Sequence, residues 1–137
     1  MVTIAVVGML AMVALPAYDR YQRKAELSGA AAQLLAMVDQ VREYRLKYGR
    51  YPNDSDGGEP PGISMPGYWL EQTPLGGNWE WEGPNNFTYA GIAISGTISS
   101  DEDLDLFDSL LDDGDTSSGI FQKTANGRPT FIIEDGI

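Results

Sequence analysis

Residues 1–50 read MVTIAVVGMLAMVALPAYDRYQRKAELSGAAAQLLAMVDQVREYRLKYGR. The first 18 carry no charge, and only Thr3 is notably polar before Tyr18. As a helix, 18 residues span about 27 Å, just under the hydrocarbon thickness of a bilayer. A core helix would show a polar stripe, and this run is apolar all round. A secretory signal would want a basic segment before the run and small residues at a cleavage site, where Leu15 stands instead. A membrane anchor is the expectation that fits. Pro16 lacks an N–H and would kink a soluble helix, but such kinks are tolerated in membranes.

Beyond Pro16 the helical pattern resumes. Arg20, Arg23 and Lys24 form a basic collar, and Leu27, Ala31, Leu34, Val38, Val41 and Tyr48 recur at spacings of three, four and seven. That is one apolar stripe, expected to pack against a sheet. Gly49 stands where a left-handed C-terminal cap belongs, and Pro52 blocks continuation. One helix of about 48 residues is therefore expected, roughly 70 Å long. The reading divides the chain at 1–24, the anchor half with its collar, and 25–137, the globular domain.

The 137 residues are enough for one such domain. They hold 20 acids against 9 bases, for a formal charge of -11. Residues 1–50 have 7 bases and 4 acids, whereas residues 51–137 have 2 bases and 16 acids, or -14. So acidic a surface repels phosphate backbones and excludes nucleic acid as a partner. With no Cys and no His, thiolate and imidazole catalysis and Cys/His metal sites are all excluded. Only hard, oxygen-liganded ions remain plausible as metals.

Residues 53–77 are rich in Gly, Pro, Asp and Ser and read as a loop with Tyr68-Trp69-Leu70 packed inward. Asn78 to Glu82 alternate apolar and acidic, as a half-buried strand does, and Phe87 to Ile94 follow a Gly-Pro-Asn-Asn turn. Ile120–Thr124 and Pro129–Glu134 flank Ala125-Asn126-Gly127-Arg128, a strong hairpin signal. The fold class expected is α+β, with the long helix laid on an antiparallel sheet of about four strands.

Between the hairpins, residues 101–115 carry eight acids. Ser100 with Asp103 approximates a capping box, and Leu104, Phe107 and Leu111 repeat at helical spacing. Two readings stand. One is a solvated helix ending at Gly114; the other is a calcium site built from Asp112, Asp113 and Asp115. The stretch lacks a full Asp-x-Asp-x-Asp-Gly…Glu loop. Glu80 and Glu82, a formal carboxylate pair, alternate with Trp79 and Trp81 as a solvent face would, so no enzyme is expected.

The string MVTIAVVGMLAMVALPAYDRYQRKAE, its amphipathic continuation and KYGRYPND resemble the N-terminal helix of type IV pilins and type II secretion pseudopilins. Gly8 and Ala14-Leu15-Pro16-Ala17-Tyr18 fit that pattern at the right spacing. The resemblance implies a pilin-like fold and a structural, non-catalytic subunit. The apolar half, Val2, Ile4, Val6, Val7, Gly8, Leu10, Val13, Leu15 and Pro16, would serve first as membrane anchor and then as filament core. It also implies an inner-membrane protein, single pass, with its domain in the periplasm. Its partners would be copies of itself, other pseudopilins, a prepilin peptidase and an inner-membrane assembly platform.

The family's basic leader, with the Glu near the mature start, would fall upstream of Met1. A Gly-Phe-Thr-Leu-Ile-Glu-like stretch is expected to be encoded there. The collar alone would place the domain in the cytoplasm by charge bias, whereas the family's leader reverses that orientation.

A type II secretion pseudopilin is the leading expectation, since major pseudopilins have a calcium-dependent loop late in a cysteine-free domain. The alternative is a type IV pilin for adhesion, motility or DNA uptake. Many of those close a C-terminal loop with a disulfide, impossible here, and the acidic surface disfavours DNA uptake. A third class is a membrane-tethered calcium- or glycan-binding domain that never polymerises.

Overall fold

A computed structural model describes the backbone of residues 2–97 and 99–137, and the side chains of residues 18–97 and 99–137. Helix α1 runs Val2–Tyr48 without interruption, about 70 Å of helix. It ends as the local chemistry requires. Gly49 takes a φ of 72° and its N–H donates to the Arg45 carbonyl at 2.9 Å, closing the last turn.

Four strands follow: β1 Asn78–Glu82, β2 Tyr89–Ser95, β3 Phe121–Lys123 and β4 Pro129–Asp135. Helix α2, Asp101–Leu111, crosses between β2 and β3, and a single 3-10 turn at Gly67–Leu70 precedes β1. The sheet is antiparallel throughout, in the order β1-β2-β4-β3. This is the α+β arrangement expected from the sequence.

Register explains the core. Trp81 pairs with Ile92, Ile92 with Phe131, and Phe131 with Phe121, so one apolar row crosses all four strands. Trp79 opposite Ile94 adds a second pair on the same face. Against them lie Leu27, Ala30, Ala31, Leu34, Met37, Val38 and Val41 of α1, all buried. Leu104 and Phe107 of α2 complete the cluster, Phe107 meeting Phe121 edge to face at 5.1 Å between ring centres.

Tyr48 departs from the expected stripe. It is 54% exposed and lies over Tyr44, with ring centres 4.5 Å apart. The chain reverses at Gly49, and Tyr51 is the aromatic that becomes buried, under the Arg45 guanidinium. The buried stripe therefore ends at Val41.

Candidate functional site

Among the described side chains of helix α1, Tyr18 onward, only part pack into the domain. Burial begins at Leu27; between Tyr18 and Glu26 every side chain is exposed except the half-buried Arg23. The 25 residues from Val2 to Glu26 thus extend about 38 Å ahead of the packed segment. Val2, Ile4, Val6, Val7, Gly8, Leu10, Val13, Leu15 and Pro16 lie on it, outside the residues whose side chains are described. Among the described residues, no helix is long and apolar enough to cross a membrane.

Arg23 does not behave as a free collar residue. Its guanidinium donates to Asp103 through Nε (3.3 Å) and Nη2 (3.0 Å), to the Pro74 carbonyl (2.9 Å), to Glu26 (3.2 Å) and to Ser99 (3.4 Å). Asp103 stands in the first turn of α2, where Ser100 caps by accepting from the Asp103 N–H at 3.2 Å. The point where α1 leaves the domain is thereby fastened to two other segments.

The outer face of the sheet holds a carboxylate that the sequence placed in solvent. Glu82 is fully buried. Its Oε1 accepts from Asn126 Nδ2 (2.7 Å) and Arg128 Nη1 (3.4 Å), and its Oε2 from the hydroxyls of Tyr89 (2.6 Å) and Thr130 (3.2 Å). Arg128 Nη1 also reaches Glu80 Oε1 at 2.8 Å. Alternation does point Glu82 away from the tryptophans, but the β3–β4 turn folds over it. Opposite Glu82 stands Gly91, where a Cβ would come within 2.8 Å of Phe131 O and Thr130 Cγ2. Burial, and then the bond to Glu82, raise the Tyr89 phenol above its ordinary pKa. A carboxylate with four donors on its four acceptor positions has none left for a substrate or a proton in flight. Its role is to clamp β4 and the hairpin to β1.

That hairpin closes through three residues. Thr124 N–H donates to the Arg128 carbonyl at 3.0 Å, and Gly127, at φ 82°, takes the left-handed position.

The acidic segment divides the expected calcium ligands. Asp112 and Asp113 come together at the end of α2, joined there by Asp108, with one oxygen of each within 4.8 Å of the others. Asp115 is not among them. Its Oδ1 accepts from the N–H (2.9 Å) and hydroxyl (2.6 Å) of Ser117, bonds that hold its carboxyl below the usual range. Asp108 was missed among the acids of the run, although it lies four residues after Leu104 on the apolar side of α2.

The comparisons with known proteins point one way. The chain is 38% identical over 77 residues to a type IV major pilin protein PilE1 of Neisseria gonorrhoeae, covering 55% of this chain and 47% of that one. It is 44% identical over 55 residues to a type IV major pilin protein PilE of the same organism, 40% of this chain and 33% of that one. A fimbrial protein of Neisseria meningitidis serogroup A is 36% identical over 76 residues, 55% of this chain and 45% of that one. The chain spans less than half the length of these curated relatives. No protein-family model and no solved structure matches it. The relatives are pilins rather than secretion pseudopilins, so the leading expectation from the sequence gives way to its alternative.

Proposed function

Starting from this type IV pilin likeness, which covers 55% of the chain, we propose that the protein is a structural, non-catalytic subunit of a type IV pilus-like fibre. The observation that carries this reading is the division of α1. In this helix of 47 residues, the described side chains are buried in the domain only from Leu27 to Val41, and the stretch ahead of Leu27 is the part assigned to other partners.

In this reading residues 1–24 hold the subunit in the bacterial inner membrane, with residues 25–137 on the periplasmic side. A prepilin peptidase and an assembly platform then deliver it to a surface fibre. The apolar halves of many copies pack side by side, at little net cost, because lipid and neighbouring helices are similarly apolar. Gly8 permits close helix approach. Clamping by Glu82 secures the C-terminal hairpin of a chain that has no Cys to close it covalently.

Electron microscopy of cells carrying Gly8→Leu or Val13→Asp tests the packing. Filaments are expected to vanish while the domain stays folded by circular dichroism. Normal filaments from both variants would sink the reading. The pseudopilin alternative predicts a secretin and secretion ATPase encoded beside the gene.

A further inference from the structure

The chain holds five asparagines, and Asn126 is the one that precedes a glycine. Gly127 has no Cβ to obstruct approach, so its backbone nitrogen can reach the side-chain carbonyl carbon of Asn126. Attack there closes a succinimide ring. The new bond joins Gly127 N to Asn126 Cγ, the Cγ–Nδ2 bond breaks, and Nδ2 leaves as ammonia with the Gly127 proton. Water then adds across one of the two ring C–N bonds. Cleavage at Cγ gives aspartate, and cleavage at the backbone carbonyl gives isoaspartate. Asn126 and Gly127 are both exposed, so water reaches the site.

The folded hairpin holds both reacting groups away from this path. Asn126 Nδ2 donates to Glu82 Oε1 at 2.7 Å, while its Oδ1 accepts from Thr124 Oγ1 at 2.6 Å and from the Arg128 N–H at 3.0 Å. The attacking nitrogen is engaged too, since the Gly127 N–H donates to the Thr124 carbonyl at 2.8 Å. Attack requires the amide to leave Glu82 and turn onto Gly127 N. The reaction and the clamp therefore exclude one another, and the rate follows the fraction of molecules whose hairpin is open. The product no longer fits the clamp. A carboxylate has no proton to donate to Glu82 Oε1. The fully buried Glu82 loses one of its four donors and faces a like charge instead. Isoaspartate also lengthens the backbone of a tight turn.

We propose that Asn126 is a site of spontaneous deamidation, shielded by the Glu82 clamp, and that its modification unfastens the β3–β4 turn from β1. Ammonia is lost to solvent, so the change does not reverse. Each opening of the turn exposes Asn126 to reaction, and each reaction leaves one turn that cannot be clamped again. The hairpin thus keeps a chemical record of how often it has opened. The inference is independent of the fibre reading, because it concerns the folded domain of a single chain.

The test uses the full-length chain purified in detergent and kept in warm, mildly alkaline buffer, with deamidation followed by peptide mass spectrometry. The urea-unfolded chain gives the unshielded rate. In the native chain Asn126 should react at least about tenfold more slowly than that. Thr124→Ala, which takes one hydrogen bond from Asn126 Oδ1, should speed the native reaction by about fivefold. Glu82→Gln, which removes the charge that Asn126 Nδ2 donates to, should speed it by about tenfold. In the deamidated product, and in Asn126→Asp, hydrogen exchange at the Thr124 and Gly127 amides should quicken by about tenfold. Equal rates in the native and unfolded chains would overturn the proposal. So would wild-type rates in both variants, unchanged exchange after deamidation, or no reaction at Asn126 even when the chain is unfolded.

Discussion

Arg23 Nη2 lies 3.0 Å from Asp103 Oδ2, joining the last exposed turns of α1 to the first turn of α2, 80 residues away in sequence. Both side chains are about 30% exposed, so water and salt screen the pair in part. A double-mutant cycle on Arg23→Ala and Asp103→Ala should give a coupling of about 0.5–1 kcal/mol in urea unfolding. Raising the salt concentration should shrink it. A coupling of zero at low salt would mean the contact does not order the helix exit.

Glu82 and Glu80 should behave very differently, although they are two residues apart on one strand face. Glu82→Ala strands four donors, and removal should cost about 2–4 kcal/mol. Glu80→Ala loses one contact with a guanidinium that can turn to water, for under about 1 kcal/mol. Equal costs in denaturant unfolding would refute the clamp.

The limit of the α1 stripe can be read by truncation. Leu34→Ala should destabilise by about 2–5 kcal/mol, as expected for a fully buried leucine. Tyr48→Ala, at an exposed site, should cost under about 1 kcal/mol. Reversed magnitudes would put the helix in another rotational setting.

Alkaline titration provides a fourth check. The folded state holds the Tyr89 proton more tightly than the unfolded chain does, so its contribution is present below about pH 10 and is lost as the pH climbs through the raised value. Ultraviolet absorbance should show a late phase of phenolate formation to which Tyr89 contributes. In Tyr89→Phe the late-ionising group should disappear. If the variant retains the full late phase, the assignment fails.

What could be read locally was read. The end of α1 follows from Gly49 and Pro52, the cap of α2 from Ser100, and the β3–β4 hairpin from Asn126-Gly127, each within a few residues of its cause. Burial of Glu82 was not legible, because its donors come from positions 7 to 48 residues away and only the strand order assembles them. Nor was the row Trp81, Ile92, Phe131 and Phe121, since pairing of β2 with β4 skips β3. The period of α1 was right, but period alone cannot say where the covering layer stops, which is why Tyr48 was misplaced. Asp108 was findable. Its spacing from Leu104 puts it on the buried side, a signal masked by the density of acids around it.

The way α1 meets its domain also fixes how the chain would bear load. A pull on the projecting N-terminal half acts along the helix axis, so the contacts from Leu27 to Val41 are sheared together rather than peeled one turn at a time. Shear divides a tug among about four turns, whereas peeling would concentrate it on one. Arg23, anchored to Asp103 and the Pro74 carbonyl at the mouth of this joint, meets the strain first. The chain is built less like a bead on a string than like a tang set in a handle.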